Sequence, residues 1–174
     1  SCRALGTELT TRDLTLDDIP AAGIDHLELT LAANAGEPPR PLRKVASGGE
    51  MSRTMLALKT VLASHDHTST LVFDEIDANV GGRLGDVLGS KLAALGRSHQ
   101  VICVTHLAPV ASYARHHWSI RKSRVKNRTV TQITPLGDEE QRLEELASML
   151  RGESRTESTR QEVQQMLQTA RAAW

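Results

Sequence analysis

Residues 70–106 read TLVFDEIDANVGGRLGDVLGSKLAALGRSHQVICVTH. Thr70-Leu71-Val72-Phe73 is a short, continuously apolar run, as expected of a strand covered on both faces. It stops abruptly at Asp74-Glu75. From about Arg83 to Leu95 the period changes, and Leu84, Leu88, Leu92 and Leu95 recur on one helical stripe. Val101-Ile102-Cys103-Val104 is a second buried-strand pattern, ended by Thr105-His106. Strand, helix and strand at this spacing make a crossover unit, so the two strands are expected to be parallel and their connection right-handed. The fold class is α/β, a mostly parallel sheet flanked by helices.

Upstream, Lys44 to Arg53 reads KVASGGEMSR. Ser47 and Glu50 have the S-x-x-E spacing of a capping box, so a helix is expected over about 47–63, with Met51, Met55, Leu58 and Leu62 as its apolar stripe. Capping explains the serine and the glutamate but not Gly48 and Gly49, since each glycine in a first turn costs up to about 1 kcal/mol relative to alanine. Two explanations stand: a flexible entry to the helix, or a backbone that an anion, above all phosphate, must approach closely. Before this, Leu27 to Leu31 alternates as a strand does, and Asn34 to Pro41 (NAGEPPRP) reads as loop because its prolines resist ladder pairing. Residues 1–24 are weakly patterned and begin abruptly, as a cut edge would.

Downstream, Trp118 to Lys122 and Thr129 to Ile133 form an expected hairpin about a turn near Lys126-Asn127. C-terminal helices are expected over 138–174: Glu139 to Leu150, stopped by Gly152, and a last helix opened by a second S-x-x-E at Ser154 to Glu157, with Val163, Met166, Leu167 and Ala170 inward. The 174 residues suffice for a single domain with a real core.

Lys+Arg and Asp+Glu both number 21, so net charge names no partner. Cys2 and Cys103 are the only cysteines and lie far apart, which argues against a disulfide scaffold and for a reducing, cytoplasmic setting. No apolar run approaches the roughly 20 residues of a membrane span, so no membrane partner is expected. Aromatic residues are only 2% of the chain, too few for base-stacking platforms on single strands. His65, His67, His116 and His117 lack an accompanying cysteine or carboxylate cluster of the kind a structural metal requires.

Chemistry converges on one rim. In open parallel sheets ligands sit beyond the carboxyl ends of the strands; Asp74 and Glu75 leave one strand there, and His106 leaves its neighbour. An apolar strand ending in Asp-Glu is the Walker B pattern, one carboxylate for magnesium and the next to orient and deprotonate a water attacking a γ-phosphate. The bland alternatives are a solvated acid pair and a hydrogen-bonded structural histidine. Arg53, one turn into the helix, is either a surface charge or a nucleotide contact. Lys122, Arg124, Lys126 and Arg128 alternate along the hairpin, either as a solvated tip or as a face for a phosphate backbone.

SGGE, LVFDE and VTH in this order resemble the signature motif, Walker B and switch histidine of ABC-type ATPase heads of the SMC-like branch. Over about Leu27 to Gly152, NAGEPPRPLRKVASGGEMSR, TLVFDEIDANVGG, VICVTHLAPVA and RLEELASMLRG are similar to the RecN family of bacterial DNA repair proteins. The resemblance implies the C-terminal lobe of a P-loop NTPase head, cytoplasmic and nucleoid-associated, that uses ATP and Mg2+ in double-strand break repair on DNA. Asp74 would then be the magnesium-side acid, Glu75 the catalytic base and His106 the γ-phosphate contact. Ser47, Gly48, Gly49 and Glu50 would face the nucleotide of a second head in a homodimer, and Asp77 would lie in the loop that crosses between heads. This chain has Gly81-Gly82 where many ABC proteins have Leu-Asp. No G-x-x-x-x-G-K-[ST] occurs in the sequence. In this family that loop belongs to an N-terminal lobe beyond a long coiled coil, so the chain is expected to bind ATP feebly and not to hydrolyse it unaided. The other reading is a nucleotide-gated dimerisation module of another SMC-like or ABC protein, with little turnover.

Overall fold

The computed structural model describes residues 28, 30–32, 36, 38–42, 47–63, 65–125, 128–152 and 156–173. The chain divides into two compact units, Ser1–Val45 and Ala46–Trp174, each described by itself. In the first, Thr30–Leu31 (β1) pairs antiparallel with Arg40–Pro41 (β2). Arg40–Pro41 therefore departs from the loop expected over all of 34–41; a proline is tolerated in an edge strand whose open side needs no donor. Leu27 and Leu29 of the expected strand lie outside the described residues.

The second unit opens with Gly48–Leu62 (α1), N-capped by Ser47. The stripe expected to face the core does not: Met55, Leu58 and Leu62 are exposed, and Leu56 and Gly49 are buried instead. The helix is rotated because Gly49, Ser52 and Arg53 all engage the loop after the first strand of the parallel pair, which fixes the inner face independently of apolar count.

Thr70–Phe73 (β3) and Gln100–Cys103 (β4) are parallel, Leu71 beside Val101 and Phe73 beside Cys103, joined through Gly82–Leu95 (α2). Leu71 and Phe73 point into a core with Leu56, Ile76, Leu92, Leu95 and Val110. Their alternates do not follow the expectation of cover on both faces: Val72 is 66% exposed, Ile102 47% and Val104 49%. One face of this strand pair is thus open among the described residues, and the unbroken apolar run marks a surface as apolar as the core itself.

Along α2 the expected leucine stripe faces the core at Leu92 and Leu95, with Leu88 packed against it, but not at its start. Leu84 is exposed while Gly85 and Gly89 are buried, because the short helix Ala108–Ala111 (α3) and Tyr113 press against them. A Cβ at Gly85 would come 2.9 Å from Pro109 Cβ, and one at Gly89 would enter the Tyr113 ring.

Trp118–Val125 (β5) and Arg128–Pro135 (β6) form the antiparallel hairpin, β5 starting at Trp118 as expected but running past Lys122, and β6 extending beyond Thr129 to Ile133 at both ends. Glu139–Arg151 (α4) and Glu157–Arg171 (α5) bury Leu143, Leu146, Val163 and Leu167 with Ala108 and Ala111 in a second core. Asp138 caps α4 by accepting from Gln141 N–H at 2.8 Å, and Gly152 ends it at φ +61°. The last helix is capped by Thr156 rather than by Ser154, which lies outside the described residues: Thr156 Oγ1 accepts from Thr159 N–H. Arg142 ties the two cores together by donating to the carbonyls of Ser112 and Ala114 at the end of α3.

Candidate functional site

The parallel register delivers the chemistry. With Phe73 beside Cys103 and Val104 N–H donating to Phe73 O at 2.9 Å, Asp74-Glu75 and Thr105-His106 emerge together at the carboxyl ends of β3 and β4. Asp74 and Glu75 are exposed, as is the His106 ring. Glu75 N–H donates to Asp74 Oδ1 at 2.9 Å. Glu75 has φ +55°, a left-handed conformation that a glutamate adopts at a cost of roughly 1–2 kcal/mol. That bend carries the chain from the strand into a turn closed by Ala78 N–H to Glu75 O and Val80 N–H to Asp77 O.

The start of α1 lies against this turn. Ser47 N–H donates to Glu50 Oε2 at 2.9 Å and Glu50 N–H to Ser47 Oγ at 3.4 Å, so the box expected from the sequence closes in both directions. The two glycines then separate in role. Gly48 is exposed, and a Cβ there would strike only the carboxylate end of Glu75. Gly49 is buried: a Cβ would come 2.8 Å from Glu75 O and 2.9 Å from Ala78 Cβ. The second glycine is thus required by this chain's own loop, while the first leaves an open edge beside Glu75. Ser52 Oγ donates to Asp74 O at 2.7 Å, and Arg53 Nη1 donates to Ile76 O at 3.1 Å and Ala78 O at 3.0 Å. Arg53 therefore spends its Nη1 on the loop rather than standing as a bare surface charge.

Asp77 points inward. It is 3% exposed, and its Oδ2 accepts from Thr105 Oγ1, from His106 N–H at 2.8 Å, and lies 3.1 Å from His106 Nδ1. Burial pushes its carboxyl up, but the hydrogen bonds from Thr105 and from the His106 backbone outweigh burial and hold it below the ordinary carboxylate value. Asp77 thus anchors His106 from inside the chain. The sequence reading missed Thr105 and Ser52; a hydroxyl between an apolar strand and a rim histidine was the available signal. Burial, with the charges of Asp77 and Asp74 adding, pushes the Cys103 thiol up to about 12.

Asp74 Oδ2 has no protein partner among the described residues, and magnesium typically takes one or two carboxylates, the rest of its shell being phosphate oxygens and water, so the acid fits that ion without a closed cage. The described residues contain no group of three or more His, Cys, Asp or Glu that would make such a cage. The carboxylate pair repels phosphate unless a cation lies between them, so a phosphate-bearing ligand would meet this rim together with magnesium, beside the exposed imidazole. Among the described residues no helix is long and apolar enough to cross a membrane.

No protein-family model matches the chain. Curated relatives do. The chain is 42% identical over 148 residues to the DNA repair protein RecN of Halalkalibacterium halodurans, covering 85% of this chain and 26% of that protein. To the RecN of Treponema pallidum it is 44% identical over 145 residues, 83% of this chain and 25% of that protein. One solved chain, described with the ATP-driven dimerization and DNA-stimulated activation of SMC ATPases, aligns with a TM-score of 0.45 at 20% identity, over 67% of this chain and 69% of that one. The chain spans about a quarter of the length of the curated relatives it matches. Across the residues that they share, this chain belongs to the RecN family.

Proposed function

We propose that residues 47–173 are the C-terminal lobe of a RecN-type ATPase head that acts in DNA double-strand break repair, with ATP held between two heads. The observation that carries this reading is the shared rim: Asp74-Glu75 and His106 leave adjacent parallel strands side by side, with the Ser47–Glu50 turn against Glu75. In this reading Asp74 holds magnesium, which neutralises phosphate charge when bound. Glu75 takes the proton of the attacking water; its exposed carboxylate and left-handed bend keep it clear of the core. His106, pinned through its backbone and Nδ1 by Asp77, offers Nε2 to the γ-phosphate. The exposed Ser47 and Gly48 edge serves the nucleotide of a second head. The loop that cradles the β-phosphate is supplied by an N-terminal lobe, since no G-x-x-x-x-G-K-[ST] is written in these 174 residues.

The test is reconstitution. Mixed with the remaining part of a RecN head, the chain should release phosphate in a magnesium-dependent manner, and Glu75→Gln should reduce the rate by at least about 10²-fold, the range of general-base loss. Robust hydrolysis by the 174-residue chain alone, lost in Glu75→Gln, would overturn the half-site reading. Unchanged turnover by Glu75→Gln in the reconstituted head would overturn the assignment of the base.

A further inference from the structure

The chain is neutral overall, yet its charge is segregated. Between Asp86 and Asp138 the sequence contains no carboxylate, and the strands of the β5–β6 hairpin carry Arg121, Lys122, Arg124 and Arg128 with no acid among them. One cation of this set is accounted for: Arg121 Nη2 pairs with Glu145 Oε2 of α4 at 2.6 Å, and Ser119 Oγ donates to Glu145 Oε1 at 3.0 Å, which moors the base of the ribbon to the helix. Past this anchor the ribbon stands free. Lys122, Arg124 and every residue of β6 are exposed, and Lys122, Arg124 and Arg128 have no ion pair among the described residues.

The register distributes these charges on both faces. Lys122 lies opposite Thr131 and Arg124 opposite Thr129, so these four share one face; Arg128 lies opposite Val125, on the other face, with Ser123 and Arg121. The single face expected from the alternation of 122, 124, 126 and 128 is therefore corrected by the turn, and Lys126 is outside the described residues. Isolated two-stranded ribbons are marginal in water, and unpaired like charges on one add repulsion without internal return. Their use is external. A flat acidic protein surface would meet one face only. A duplex groove has a phosphate wall on each side, and the major groove, about 12 Å wide, admits a two-stranded ribbon.

We propose that β5–β6 is a nucleic-acid ribbon that enters a duplex groove, Lys122 and Arg124 meeting one phosphate backbone and Arg128 the other, with the hydroxyls of Ser123, Thr129 and Thr131 as neutral phosphate donors. The proposal rests on the DNA-repair reading for the kind of duplex involved, and on the charge distribution alone for the surface.

The experiment measures binding of the 174-residue chain to a labelled DNA duplex by fluorescence anisotropy across a salt series. Lys122→Gln/Arg124→Gln/Arg128→Gln should weaken binding at least about tenfold at low salt and flatten the log–log salt slope by about 2 to 3, near 0.9 for each phosphate no longer neutralised. Lys91→Gln/Arg151→Gln/Arg160→Gln removes the same charge elsewhere and should leave the slope in place. Equal thermal midpoints for chain and hairpin variant would show that the fold is intact. No duplex binding, an unchanged slope, an equal loss in the matched variant, or equal competition by single strands or polyglutamate would overturn the proposal. Phosphate release by the reconstituted head without DNA should be untouched by the hairpin variant. An unchanged slope with that release intact would strike the ribbon alone, and a failed release with the slope change present would strike the ATPase reading alone.

Discussion

Asp77 grips His106 at two points, accepting the backbone N–H at 2.8 Å and lying 3.1 Å from the ring Nδ1, while Thr105 donates to the same carboxylate oxygen. An acid that is 3% exposed thus sets where an exposed imidazole stands. Asp77→Asn should destabilise the chain by about 1–3 kcal/mol, the range for leaving buried hydrogen-bond groups poorly matched. Because the folded carboxyl titrates below its unfolded value of about 3.9, its contribution is complete above that pH and is lost as pH falls toward the folded value. Urea midpoints of the two proteins should therefore differ at neutral pH and converge in acid; a constant difference would mean that the carboxylate is not the stabilising form.

The two adjacent glycines should respond differently to alanine. At Gly49 a Cβ meets the Glu75 carbonyl at 2.8 Å and Ala78 at 2.9 Å, backbone and short side chain that cannot swing away. Gly49→Ala should cost about 1–3 kcal/mol, overpacking outweighing the gain in helix propensity. Gly48→Ala meets only the mobile end of Glu75 and should change stability by less than about 1 kcal/mol, while lowering turnover of the reconstituted head by moving that carboxylate. Denaturant midpoints and phosphate release together separate the two; equal destabilisation would refute the assignment.

Arg53 bonds two carbonyls of the loop that follows the acid pair, those of Ile76 and Ala78. Arg53→Ala should loosen the turn, speeding hydrogen exchange at the Ala78 and Val80 amides, whose acceptors are Glu75 O and Asp77 O, by roughly 10- to 100-fold, equivalent to a charged hydrogen bond of about 1.5–3 kcal/mol. Exchange at the α4 amides should not change. Protection unaltered at Ala78 and Val80 would show that the arginine does not hold the loop.

Cys103 lies on the buried side of β4, behind two acids, and its thiol is raised to about 12. Relative to a free thiol near 8.5, its thiolate at pH 8 should be scarcer by about three orders of magnitude, so alkylation of the native chain should be slow in proportion and recover on unfolding. Peptide mapping distinguishes it from Cys2. Native labelling at the rate of a small thiol would contradict the environment described.

The local pattern was enough for everything that depends on neighbours in the chain. Ser47 and Glu50 three residues apart make a box wherever a helix starts, and two apolar runs separated by one helix length make parallel strands that bring Asp74-Glu75 and His106 to one rim. The pattern placed the inward residues of α4 and α5 correctly, Leu143, Leu146, Val163 and Leu167 among them, but could not decide which way α1 and the start of α2 turn. Met55 and Leu84 look like core residues and are exposed, because packing selected the faces bearing Gly49, Gly85 and Gly89, where backbones approach more closely than leucines permit. Asp77 carries no local sign of burial, and only the neighbouring strand, which brings Thr105 and His106 to it from nearly thirty residues away, makes it an interior anchor. Period and capping are properties of consecutive residues and survive in the sequence; orientation is a competition among distant surfaces, and only the folded chain resolves it.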